Sequence, residues 1–175
     1  PVMDEGRNLV YIIGVSTDIT RLKETEEELK GHIRALNVLI LCNRIVGKAS
    51  DENQLLKNIC EAIVETGNYW MAWVGYAQDD PEKTVKPMAH AGVEKGYLEA
   101  VSISWGDNKR GRGPTGRAIR TGKPEICRFI DSDPEYRHWK KEALSREYGS
   151  SIALPLKSDE SVIGALNVYA REQNA

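Results

Sequence analysis

Apolar positions along the chain follow two different periods, and the switches between them mark the elements. Leu9 to Val15 is a β-branched and aromatic run behind the turn-forming Asp4-Glu5-Gly6-Arg7-Asn8, the pattern of a hairpin's second arm. Thr17, Asp18 and Thr20 then offer capping oxygens, with Asp18 or Thr20 as the expected cap of a helix. From Arg21 to about Ile45 there is no Pro and only Gly31, and Leu29, Ile33, Leu36 and Ile40 recur at spacings of four, three and four. That is a heptad seam, which predicts a parallel dimer helix merging into the first helix of the following domain. An amphipathic helix packed on its own domain also accounts for the later half. Gly47 to Ser50 breaks the helix, and Ser50 or Asp51 caps a second one with Leu55, Leu56, Ile59, Ile63 and Val64 on one side, ending at Gly67-Asn68.

Beyond Asn68 the period shortens. Tyr69 to Tyr76 and Val85 to Ala91 read as strands across the polar turn Gln78-Asp79-Asp80-Pro81-Glu82. A short helix around Glu94 to Val101, a Gly-rich turn, a helix Pro114 to Thr121, a strand Pro124 to Ile130 and a helix Pro134 to Glu147 are expected next. Ser150 to Leu156 and Ser161 to Arg171 alternate about Lys157-Ser158-Asp159-Glu160 as a terminal hairpin. Strands outnumber crossover helices, so the expected class is α+β, an antiparallel sheet with helices on both faces behind a long connector helix.

Composition narrows the function classes. At 175 residues and 41% apolar content there is material for one core plus an appendage. A formal charge of −2, spread along the chain, leaves no electrostatic footprint for nucleic acid or an acidic membrane. Cys42, Cys60 and Cys127 are odd in number and lack CxxC spacing, which suits a reducing compartment, so a cytoplasmic location is expected. No run suits a transmembrane helix or a signal peptide, and a chain opening at Pro1 is expected to be a piece of something longer.

Two stretches carry a family resemblance. GRGPTGRAIRTGKPEICRFIDSDPEYRHWKKEAL followed by GSSIALPLKSDESVIGALNVYA, with YWMAWVGYAQDD at 69–80, resembles the GAF domains of bacterial and archaeal sensor histidine kinases and diguanylate-cyclase sensors, over roughly Leu36 to Ala170. GRNLVYIIGVSTDITRLKETEEELK resembles the last strand and exit helix of a PAS domain. The resemblance implies a PAS remnant at 1–20, a helical connector at 21–35 and a GAF domain at 36–175 that lacks its final helix. It further implies a GAF-like five- to six-stranded sheet, a homodimer through the connector and a kinase or cyclase output domain in the full-length chain. It places the effector pocket between the sheet and the segments 94–121 and 131–147.

For that pocket the candidate ligand-binding residues are Trp73, His90, Tyr97, Trp105, Arg112 and Cys127. Aromatic rings offer contact area to a planar or apolar effector, though core packing is the simpler account of each. Strand alternation predicts that Trp70 and Trp73 point to opposite faces, with Trp73 toward the pocket. Gly111-Arg112-Gly113-Pro114-Thr115-Gly116 precedes a helix whose N–H groups and Arg112 suit an anion, yet no Lys-Ser or Lys-Thr follows. A tight turn with Pro114 at the first helical position explains it equally.

Other chemistries are weighed against these residues. Haem needs an axial His or Cys, for which His90 or Cys127 are available, but an ordinary thiol and imidazole suffice. Some free methionine sulfoxide reductases share the GAF fold and place a Cys in the stretch matching GRGPTG, where this chain has Thr115; an enzyme is not expected. Signatures for cyclic nucleotides or a tethered bilin are missing. The reading that remains is a sensory module with an unidentified small-molecule effector, or a ligand-free dimerisation and relay module. A cavity of several hundred Å³ with convergent polar groups would separate the first from the second.

Overall fold

The structure, a computed structural model, describes residues 2–3, 6, 9–11, 17–159 and 161–175. It divides into two compact units, Pro1–His32 and Ile33–Ala175. In the first, β1 (Val2–Met3) pairs antiparallel with β2 (Leu9–Tyr11). The rest of the expected strand to Val15, and most of the turn before it, lie outside the described residues.

Helix α1 (Thr20–Val46) spans the predicted connector, and Asp18 Oδ1 accepts from the Thr20 N–H at 2.9 Å. No residue of α1 is fully buried. Its second half has two apolar faces. Arg34, Val38, Leu41, Cys42 and Ile45 are half-buried, with Val38 against the sheet domain's core and Arg34 over the Tyr69 ring at 4.7 Å. The seam residues Leu29, Ile33, Leu36 and Ile40 are between 50% and 59% exposed. Helix α2 (Glu52–Glu65) is capped by Asp51, which accepts from the Gln54 N–H at 2.8 Å. Its residues Leu56, Cys60 and Ile63, spaced one turn apart, bury one face against Ala72, Val74 and Val168.

The sheet is five-stranded and antiparallel throughout, in the order β4-β3-β7-β6-β5: β3 is Met71–Ala77, β4 Val85–Gly92, β5 Glu125–Cys127, β6 Ser150–Ser158 and β7 Ser161–Ala170. Strand β3 sends Ala72 and Val74 to the α2 face and Met71 and Trp73 to a second core on the other, so it is buried on both sides. Over that second face lie α3 (Tyr97–Ala100), α4 (Pro114–Thr121), a 3₁₀ turn (Pro134–Tyr136) and α5 (Lys140–Leu144). Helices thus cover both faces, as the pattern implies.

Three expectations are corrected. The helix expected from Pro134 to Glu147 is a 3₁₀ turn and a short α5, because a three-residue pitch brings Tyr136 and Trp139 to the same buried side. The helix at 94–101 shrinks to α3, since Glu94 accepts from the N–H groups of Gly96 and Leu98 at 2.8 and 2.7 Å and caps the helix instead of joining it. Trp70 does not oppose Trp73: it precedes β3, where alternation does not hold, and packs against the same core while its Nε1–H donates to the Arg146 carbonyl at 2.8 Å.

Candidate functional site

The core on the Trp73 face has a packed half and an open half. Tyr97, Tyr148 and Tyr169 meet edge-on or tilted, with ring centroids 4.6–5.8 Å apart, and Tyr136 and Trp139 close the group. The Tyr148 hydroxyl donates to the Val93 carbonyl at 2.5 Å. Between Tyr97, Thr115, Tyr136 and Tyr169 only about 10 Å³ remains, room for a single water.

The open half is a cavity of about 460 Å³ beside the start of β4, within the usual size range of small-molecule sites. Here the chain of 102–105 runs along β4: Val85 N–H donates to the Ile103 carbonyl at 3.0 Å and Trp105 N–H to that of Lys83 at 2.7 Å. Trp73, Val85, Pro87, Leu98, Val101 and Ile103 form its apolar walls. Gly75 makes the indole's position possible, since a Cβ there would lie 2.5 Å from Trp73 Cζ3 and 2.6 Å from Val85 Cγ1.

Polar groups converge on this cavity unequally. Ser104 Oγ donates to the Glu82 carbonyl at 2.9 Å and accepts from Gly106 N–H and Asn108 Nδ2, each at 3.0 Å, so it is already engaged. The Thr84 hydroxyl is held by Asp80. Trp73 is fully buried, and its Nε1–H has no acceptor among the described residues. Such an orphan donor costs on the order of 1–3 kcal/mol when nothing accepts from it. Arg110 reaches the wall from the loop above, with no ion pair among the described residues.

The glycine-rich loop has a different use from the one its pattern suggests. Arg120 donates to the carbonyls of Trp105, Gly106 and Gly111 at 3.0, 2.9 and 2.6 Å, tying both ends of the loop to α4. A Cβ on Gly113 would lie 2.5 Å from the Trp139 ring, and one on Gly116 2.5 Å from the Ser104 carbonyl. These glycines permit close packing. Pro114 stands at the start of α4, and the Thr115 hydroxyl donates to buried Asn167 Oδ1 at 2.7 Å.

Of the six candidate residues, Trp73 alone lines the large cavity. Tyr97 and Cys127 share its core, and Trp105 packs at the edge with its Nε1–H donating to the Gln78 carbonyl at 2.8 Å. His90 is exposed on β4 and Arg112 exposed on the loop. Sequence reasoning missed Gly75, Arg110 and Arg120; the cation cluster at 109–112 was the available signal.

The thiols are poorly placed for redox chemistry. Burial, then the hydrogen bond to the Asp133 carboxylate, pushes the Cys127 thiol up to about 12, and burial does the same to Cys60. Burial also raises Cys42, on α1. None of the three lines the cavity.

The GAF domain family profile matches residues 49–175. The chain belongs to the GAF domain family. GAF domains are in general sensory or regulatory ligand-binding modules, and the fold agrees. No curated protein matches the chain. Among solved structures it is similar to the A. aeolicus nlh2 GAF domain in an inactive state (TM-score 0.62, 15% identity, 79% of this chain and 80% of that one). It is also similar to the GAF domain of a Coxiella burnetii phosphoenolpyruvate-protein phosphotransferase (0.63, 20%, 79% and 80%). A third likeness is to the Neisseria meningitidis free methionine-R-sulfoxide reductase in complex with its substrate (0.63, 18%, 95% and 83%). Identities this low establish the fold alone.

Proposed function

We propose that this GAF domain is a non-catalytic sensor that takes a small-molecule effector into the Trp73 cavity. The observation that carries the reading is a cavity of about 460 Å³ with apolar walls, closed at the back by the fully buried Trp73. A pure relay module needs no concave site of this size. Haem fits the cavity badly, since its lining includes neither His nor Cys, and Cys127 sits protonated elsewhere in the core. Reductase chemistry of the kind in the Neisseria protein's name needs a thiolate at the pocket; here Thr115 is spent on Asn167 and the cysteines are protonated away from the cavity.

In the longer protein that we infer, a PAS domain precedes this module and a histidine kinase or diguanylate-cyclase output follows. The DIT sequence Asp18-Ile19-Thr20, which leads into α1, supports the PAS reading, and the outward seam Leu29, Ile33, Leu36 and Ile40 supports a parallel homodimer. Effector binding then biases the arrangement of paired connector helices by its differential affinity for two states. The test is a thermal-shift screen of the purified chain against a chemically mixed metabolite library and a cell extract's small-molecule fraction. At least one fraction should raise the melting temperature, and Trp73→Ala should abolish the shift. A blank screen, with a Trp73→Phe protein as stable as wild type, leaves only the relay reading.

A further inference from the structure

The large cavity does not end at its own walls. Val101, Ser102 and Arg110 also line a second cleft of about 210 Å³, whose other sides are Ala100, His138, Trp139 and Glu142. One cation therefore stands where two voids meet. The Arg110 backbone is pinned: its N–H donates to Asn108 Oδ1 at 2.9 Å, and its carbonyl accepts from Ser104 N–H at 3.1 Å. The loop carrying it is fastened at its base by Arg120. Its guanidinium, by contrast, has neither a hydrogen bond nor an ion pair among the described residues. A fixed backbone carrying an exposed guanidinium offers a planar donor fork that matches a carboxylate bidentately.

Charge around the rim agrees. The loop 106–112 has Lys109, Arg110 and Arg112 against the single carboxylate Asp107, all four exposed, in a chain whose formal charge is −2. In the outer cleft the Glu142 carboxylate is already paired with Arg146 at 2.9 Å. Glu82 is the one carboxylate in the wall of the large cavity, against the donors of Trp73, Ser102 and Arg110.

We propose that cavity and cleft form one site for a small organic carboxylate, its anionic head on Arg110 and its apolar body over Val85, Pro87 and Ile103, in front of the buried Trp73 ring. This rests on the sensor reading and names the effector's chemical class. The bidentate head fixes orientation, and the apolar wall sets size.

The experiment titrates the ¹⁵N-labelled chain with benzoate, phenylacetate and 4-methyl-2-oxopentanoate, each beside its primary amide, following the indole N–H signals of the four Trp residues. Trp73→Phe assigns its signal. At least one acid should move the Trp73 signal, its amide should bind at least about tenfold more weakly, and Arg110→Gln should remove the preference with its melting temperature unchanged. Amides that bind as well as acids, or an Arg110→Gln protein that binds acids like wild type, overturn the carboxylate assignment and leave the sensor reading intact. Silence from every acid at millimolar concentration also overturns it, whereas the sensor reading falls only if the mixed library is blank as well.

Discussion

Trp73 has its place because its neighbour two positions on is glycine. Gly75→Ala would put a methyl group into the indole and Val85, so it should cost about 1–3 kcal/mol by denaturant unfolding and shrink the cavity. A variant as stable as wild type would show that the ring has another position available. The thiols permit a second prediction at this scale. With Cys60 and Cys127 buried and pushed up to about 12, and Cys42 half-buried on α1, a thiol reagent at pH 8 should label Cys42 well before the other two. Mass mapping of native protein checks the order, and early labelling of Cys127 would reopen the reductase reading.

Among the elements, α3 depends on a side chain outside it. Burial alone would raise the Glu94 carboxyl, but the N–H groups of Leu98 and Gly96, with His90 and Arg146 nearby, outweigh that and hold it below its ordinary 4.5. A folded value depressed in this way contributes stability that is complete above 4.5 and is lost as pH falls through the lower folded value. Glu94→Ala should therefore cost roughly 1 kcal/mol at pH 7 and progressively less below pH 4. An equal cost at both pH values would mean that the carboxylate's charge plays no part. Helix α1 supplies the other prediction: Leu36→Glu with Ile40→Glu should turn a dimer into a monomer by sedimentation, with the melting of the sheet domain little changed, because both side chains are exposed. A wild-type chain that is monomeric at high micromolar concentration would remove the dimer.

For the whole molecule, binding and stability are linked. An effector at a hundred times its dissociation constant adds about 2.7 kcal/mol. Hydrogen exchange should slow at 98–110, whose residues wall the cavity, and not along β5 and β6 on the far side of the sheet. Uniform slowing everywhere would point to global stabilisation from a site elsewhere.

The sequence by itself determined the periodic parts. The α4 bounds were read correctly from Pro114 and Gly122, the α1 span from the lack of breakers, and strands β3, β4, β6 and β7 to within a few residues, because period and punctuation are local properties. The GAF resemblance was legible because its blocks stand in order along the chain. What only the tertiary structure decided was which residues meet. Tyr97 and Cys127 share the core with Trp73 yet pack away from the void, and the glycines of 111–116 serve close contacts with Trp139 and neighbouring backbone rather than an anion. Arg110 and Arg120 look alike in sequence. One is spent holding three carbonyls and the other, at the junction of two cavities, has no side-chain partner among the described residues, a distinction set by the path of the loop between β4 and α4, which side-chain periodicity does not encode.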